Sequence, residues 1–193
     1  FAQVINNEKT GERSVVNVDI KGGSTTTLWN GRGRLHSVGV NEDGGVIARF
    51  ESLDTPADLY AFSHDFGSKR RLSHVEPRLD RLRVGPMEVF ESLVPGFDGR
   101  LQPVQTAVFL PPGKKRGDSL PTIVNFYAGS NLTESAQEYG GGDPNSIPVQ
   151  VFASRGYAVL LVDVPLGPQG QGGNPVQEMS DAILAQVYRA ANL

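Results

Sequence analysis

Two stretches in the second half of the chain, Pro121-Thr122-Ile123-Val124-Asn125-Phe126-Tyr127 and Tyr157-Ala158-Val159-Leu160-Leu161-Val162, are nearly all apolar or β-branched. Neither alternates polar with apolar, so each reads as a strand buried on both faces. Between them, Ser146 or Asn145 can cap a short helix over residues 148–154, which Gly156 stops. After a Gly/Pro-rich loop, Asn174-Pro175-Val176-Gln177 offers an N-cap, a proline at the first helical position and a capping-box partner. Met179, Ile183 and Val187, with Ala182 and Ala190 beside them, then give one apolar helical stripe. Strand, helix, strand, helix is the order of a parallel, wound α/β sheet. Two more strands come before it, Met87 to Leu93 and Leu101 to Leu110, joined by the turn Pro95-Gly96-Phe97-Asp98-Gly99-Arg100. A polar loop over residues 114–119 follows them.

The first 75 residues are patterned differently. Gly and Pro together make 36 of the 193 residues, roughly 19% against an average near 12%. Here the glycines separate short runs: Val15 to Ile20, then Lys21-Gly22-Gly23-Ser24, then Thr25 to Trp29. Arg34 to Val40 leads through Asn41-Glu42-Asp43-Gly44-Gly45 into Val46 to Phe50. Asp58 to Phe62 leads through Phe66-Gly67-Ser68 into Lys69 to Leu72. These are β-branched or aromatic runs bounded by turn residues. The phrase ends in Leu28-Trp29 and again in Arg71-Leu72. That repeat of about 43 residues is the size of one four-stranded propeller blade, with a piece of β-sandwich as the alternative. The change of pattern near Leu79 to Val84 divides the chain into residues 1–80, β-propeller blades, and residues 81–193, an α/β part.

Composition excludes several classes. The quoted hydrophobic fraction is 38%, and counting Gly without Tyr brings it to roughly 47%, a globular value that argues against disorder. A net charge of −3 lacks the footprint of a nucleic-acid binder, the only basic runs being Lys69-Arg70-Arg71 and Lys114-Lys115-Arg116. There is no cysteine, hence no disulfide or thiolate site, and His36, His64 and His74 lack zinc-motif spacing. They are expected in surface or turn roles. No apolar run approaches a membrane span. A soluble protein is expected, with the cytoplasm favoured over the periplasm or secretion, and Asn131-Leu132-Thr133 is read as a chance glycosylation sequon. The glycine-rich segments 140–142 and 167–173 lack the Gly-x-Gly-x-x-Gly fingerprint, so no nucleotide is expected. No cofactor or metal is called for. The opening Phe1-Ala2-Gln3-Val4 reads as the interior of a longer protein.

Several local phrases resemble one family. Asp54-Thr55-Pro56-Ala57-Asp58-Leu59-Tyr60, then Arg71-Leu72-Ser73, Phe90-Glu91-Ser92 and Phe97-Asp98-Gly99 resemble the junction between propeller and hydrolase in the prolyl oligopeptidase family of serine peptidases. The run from Pro121 to Gly129 resembles the strand and Tyr-Ala-Gly turn of its dipeptidyl peptidase IV-like branch. Phe152-Ala153-Ser154-Arg155-Gly156-Tyr157-Ala158-Val159 resembles the next helix-strand unit, and Asp181 falls where the family has an Asp opening the helix before the nucleophile. The likeness runs from about residue 15 to the end, carried by order and spacing.

The resemblance implies β-propeller blades followed by the N-terminal part of an α/β-hydrolase domain. It also implies a peptide substrate cleaved through an acyl-enzyme. Its oxyanion-hole tyrosine corresponds to Tyr127, whose hydroxyl would bind the developing oxyanion together with the backbone N–H after the nucleophile. By the residues alone, Tyr127 better suits a strand-end aromatic with a wet tip. No Gly-x-Ser-x-Gly nucleophile elbow occurs in the chain. The Ser-Asp-His triad is therefore expected beyond Leu193, and this segment alone is expected to be inactive. Asp163 stands at the carboxyl edge of a strand. The family shows Asp-x-Arg-Gly-Ser there and this chain reads Asp163-Val164-Pro165-Leu166-Gly167, so Asp163 is read as structural. Substrate-binding residues are not legible. Expected partners are the peptide substrate and the remaining segments of the same protein, with a homo-oligomer allowed and neither nucleic acid nor membrane. The rival readings are a propeller-type binding module with a degenerate hydrolase domain, and an α/β esterase.

Overall fold

The computed structural model describes residues 2–6, 12–141, 147–168 and 173–192. The described residues are mostly β-sheet with two α-helices. It divides into two compact units: Phe1–Leu82 with Gln137–Tyr139, and Arg83–Ala136 with Gly140–Leu193.

The first unit holds two antiparallel sheets. Strands β1 (Ala2–Asn6), β2 (Arg13–Val18) and β3 (Thr25–Gly31) lie in the order β1-β2-β3, and β1 is a strand that the sequence patterns did not signal. Strands β4 (Arg34–Val40), β5 (Val46–Ser52), β6 (Thr55–Phe62) and β7 (Lys69–Arg71) form a four-stranded meander. The repeated phrase thus ends on the last strand of each sheet. Ile20, expected at the end of a strand, lies instead in the exposed turn that follows β2.

Side chains of β6 alternate across the sheet, so Pro56, Asp58, Tyr60 and Phe62 turn inward. Tyr60 and Phe62 join Val15, Leu35, Ala48, Phe50 and Phe66 in one apolar cluster, against which Leu28 and Trp29 of β3 also pack. The two sheets therefore share a single core. Edge-on aromatic pairs hold its centre, with Phe50 to Tyr60 centroids at 5.6 Å and Trp29 to Phe50 at 6.3 Å.

The inward position of Asp58 puts a carboxylate in that interior, which is tolerable only if it is well bonded. It accepts from the Leu59 N–H at 2.9 Å, the Val75 N–H at 3.2 Å, Arg71 Nε at 2.8 Å, and the Ser73 hydroxyl. Burial alone would push its pKa up; the Ser73 and Arg71 side-chain bonds and the two backbone N–H groups outweigh that and bring it down to about 2. The three residues Gln137–Tyr139 belong to this unit, and buried Glu138 forms ion pairs with Arg34 and, at 3.8 Å, with Arg13.

In the second unit, β8 (Met87–Pro95), β9 (Leu101–Phe109), β10 (Thr122–Ala128) and β11 (Ala158–Val164) form one sheet in the order β10-β11-β9-β8. Only β10 and β11 are parallel; β8 with β9 and β9 with β11 are antiparallel. The parallel pairing expected from the strand-helix alternation is found between β10 and β11, and the preceding hairpin adds two antiparallel strands to the same sheet. A five-residue hairpin turn can only reverse β8 into β9. Pro103 sits in β9 without harm because β11 pairs only from Thr106 onward, so its missing N–H faces no neighbour.

Every residue of β11 is buried, as its continuous apolar run predicts. For β10 that expectation fails. It is an edge strand of this sheet, with Ile123, Val124 and Asn125 half-buried and Phe126 and Tyr127 exposed. Helix α1 (Val149–Ala153) lies between them in sequence; its N-cap is Pro148, without a side-chain cap, and both Asn145 and Ser146 fall outside the described residues. Helix α2 (Pro175–Ala191) lays Met179, Ala182, Ile183, Val187 and Ala190 on Val94 of β8 and Leu160, Val162 and Val164 of β11. Asn174 caps it by accepting from the Val176 N–H at 3.1 Å. The expected capping-box partner Gln177 turns away to Asp181, at 2.7 Å, and Glu178 accepts from the Gly173 N–H at 3.1 Å instead.

Candidate active site

Parallel strands β10 and β11 end together: Tyr127 pairs in register with Asp163 and Ala128 with Val164. The carboxyl end of parallel strands is where α/β sheets place ligands. Tyr127 lies there with 70% of its surface exposed, and no group among the described residues hydrogen-bonds its hydroxyl. The chain reverses at once. Gly129 adopts φ of +72°, a conformation that residues with a Cβ rarely take, and its N–H donates to the Val164 carbonyl at 2.8 Å. The Ser130 N–H donates to the Tyr127 carbonyl at 3.1 Å, and the Val164 N–H to the Ser130 carbonyl at 3.3 Å.

The loop then enters a short 3-10 turn, Leu132–Ser135, whose Thr133 is buried. Thr133 donates its backbone N–H at 2.9 Å and its hydroxyl at 2.5 Å to the two carboxylate oxygens of Asp163, itself only 5% exposed. Burial pushes the Asp163 carboxyl above the usual range, and the Thr133 side-chain and backbone bonds and the Gln105 N–H only partly oppose it. The hydroxyl of the Asn131-Leu132-Thr133 sequon is thus committed to an interior carboxylate. The Asp163 carbonyl accepts from Gln186 Nε2 at 2.8 Å, and Gln186 Oε1 accepts the Thr106 hydroxyl at 2.8 Å. Ser92 lies 3.0 Å from Thr106, extending the buried polar chain to β8.

Sequence reasoning missed Gln186 and Thr133. Gln186 did leave a signal, because residues 179, 182, 183, 186, 187 and 190 trace one helical face and a Gln within such a face must find partners in the core. Thr133 left none, because its partner is 30 positions away. Asp181, expected to open its helix, lies in the second turn of α2, which begins at Pro175. The three histidines belong to the first unit; His74 faces Asp80 at 2.5 Å, and burial followed by Arg34 and Arg49 lowers the pKa of His36. Among the described residues no group of three or more His, Asp or Glu side chains could hold a metal ion. A cavity of about 400 Å³ opens beside Thr122 and Ala158, at the opposite end of β10 and β11 from Tyr127. No helix is long and apolar enough to cross a membrane among the described residues.

The chain matches no family model, and no curated protein matches it in sequence. In fold it is similar to peptidases. The AtxE2 isopeptidase superposes with a TM-score of 0.67 at 19% identity, over 98% of this chain and 29% of that one. A structure from a study of two prolyl endopeptidases gives 0.57 at 17%, over 99% and 27%. Dipeptidyl peptidase 4 of Porphyromonas gingivalis gives 0.52 at 22%, over 78% and 21%. The family resemblance read from the residues is thus matched in fold, and the chain spans less than a third of each of these proteins.

Proposed function

We infer that this chain is a segment of a serine peptidase that cleaves peptides through an acyl-enzyme, and that Tyr127 is one of its two oxyanion donors. In this reading the two sheets of the first unit are the closing blades of a β-propeller, and the second unit is the opening part of an α/β-hydrolase domain. Further segments of the same protein supply the Ser-Asp-His triad, and no metal or cofactor is required. The observation that carries the reading is the placement of Tyr127: an exposed tyrosine with an unengaged hydroxyl at the carboxyl end of a parallel pair, in a fold similar to that of peptidases. The fold likeness to peptidases favours this over an esterase or a binding module.

The test is Tyr127→Phe in the peptidase that carries this segment. Loss of one oxyanion donor should lower kcat on a chromogenic peptide about a hundredfold or more, with little change in KM. Retention of full kcat would overturn the assignment. Labelling by a fluorophosphonate should require the triad-bearing segments, and a segment of residues 1–193 that labelled by itself would contradict the division of roles.

A further inference from the structure

We propose that Asp163 is a positioning residue for Tyr127, acting through Thr133; this rests on the oxyanion reading of Tyr127. The loop from Tyr127 to Thr133 is fastened to the end of β11 at both ends. Near Tyr127 the fastening is the backbone pair of Gly129 and Ser130 with Val164. At the far end it is the two-point grip of Thr133 on the Asp163 carboxylate. Between them Asn131 is exposed and makes no side-chain cap bond to the 3-10 turn. Without the Asp163 grip, the far end of the turn that aims Tyr127 would be held only by the packing of Leu132 and Ala136.

The carboxylate is an expensive way to hold a loop for stability alone. Asp163 is buried without an ion-pair partner among the described residues, and its surroundings disfavour the charged form despite three donors. What the arrangement supplies is geometry. Asp163 is fixed through its side chain by Thr133 and through its carbonyl by Gln186 of α2. The Thr133 end of the loop is therefore referred to β11, every residue of which is buried, and through it to α2. An oxyanion donor must be held within about 0.5 Å of its place, and a displacement of about 1 Å can cost up to a hundredfold in rate.

The experiment is a double-mutant cycle in the peptidase that carries this segment, with kcat and KM measured for Asp163→Asn, Thr133→Val and Tyr127→Phe, singly and in pairs. Asp163→Asn keeps the side-chain size and an acceptor for the Thr133 N–H, so the variant should fold. Each of the first two changes should lower kcat about tenfold and leave KM within about twofold. In the Tyr127→Phe background the same changes should cost less than about twofold further, because the group they position is already gone. Thr133→Ser, which retains both donors, should rescue the Thr133→Val loss. Equal losses in both backgrounds, or no loss in kcat, would overturn the proposal while leaving Tyr127 in place. If Tyr127→Phe itself keeps full kcat, the oxyanion reading falls and this proposal falls with it.

Discussion

Gln186 Oε1 accepts the hydroxyl of Thr106 at 2.8 Å, and both side chains are fully buried. The same amide donates to the Asp163 and Ala182 carbonyls at 2.8 and 3.1 Å, so one residue of α2 ties the helix to β9 and β11. Replacing Gln186 with Met keeps the volume and removes all three bonds. A loss of about 1–3 kcal/mol is expected, read as a lower denaturant midpoint. Gln186→Glu should cost more than Gln186→Met, because its anion would face the Asp163 carbonyl. Equal stability of wild type and Gln186→Met would show the network to be energetically idle.

Asp58 gives the first unit an acid-labile contact. Its carboxyl titrates at about 2 when folded, against roughly 3.9 in an unfolded chain. A lowered carboxyl pKa contributes stability that is fully present above the unfolded value and is lost as pH falls through the folded one. The stability difference between wild type and Asp58→Asn should therefore be largest above about pH 4 and shrink toward pH 2. A difference independent of pH across that window would contradict the role given to its charge.

Gly85 allows two backbones to touch. A Cβ built there would lie 1.8 Å from the Leu110 carbonyl oxygen, and the Leu110 N–H is already bonded to the Pro86 carbonyl at 3.0 Å. Neither backbone can yield without breaking the end of β9. Gly85→Ala should destabilise the second unit by about 3 kcal/mol. Gly39→Ala, where a Cβ meets nothing within 4 Å, should change stability by less than about 0.5 kcal/mol. Thermal melting of both variants decides the matter.

Residues 82–86 have no regular secondary structure, Leu82 is well exposed, and the boundary of the two units falls between Leu82 and Arg83. Limited trypsin digestion of the full protein should cut first after Arg81 or Arg83, or after Lys114 or Lys115 in the exposed loop. Arg116 should be slower, since its side chain pairs with Glu88. Early cutting by chymotrypsin at Phe126 or Tyr127 would mean that β10 is not held as a strand.

What the sequence made legible was local. Turn glycines and alternating runs located most strands, because the pleat and the turns are decided by neighbours a few residues apart. The stripe on α2 and its Asn174 cap were legible for the same reason. The burial of β10 was not, because an edge strand and a central strand can carry the same apolar run and differ only in what lies beside them. At the start of α2, Glu178 accepts from the Gly173 N–H while Gln177 donates to Asp181, a division between adjacent side chains that propensity could not rank. Tyr127 was singled out by resemblance, whereas the contact of Thr133 with Asp163 was not legible, because the two meet only through the parallel pairing of β10 with β11.

The membership of Glu138 in the first unit has a consequence for the order in which the protein is made. Arg13 and Arg34 face a carboxylate that is translated only after β10. At about 5–20 residues per second, the ribosome needs roughly 3–11 s to pass from Leu82 to Glu138. During that interval the first unit has all its strands and none of the Gln137–Tyr139 segment that completes it. A gene fragment stopped at Leu82 would arrest the unit in that same unfinished state. The two units therefore overlap along the message: the first begins alone, and its last residues are made in the midst of the second.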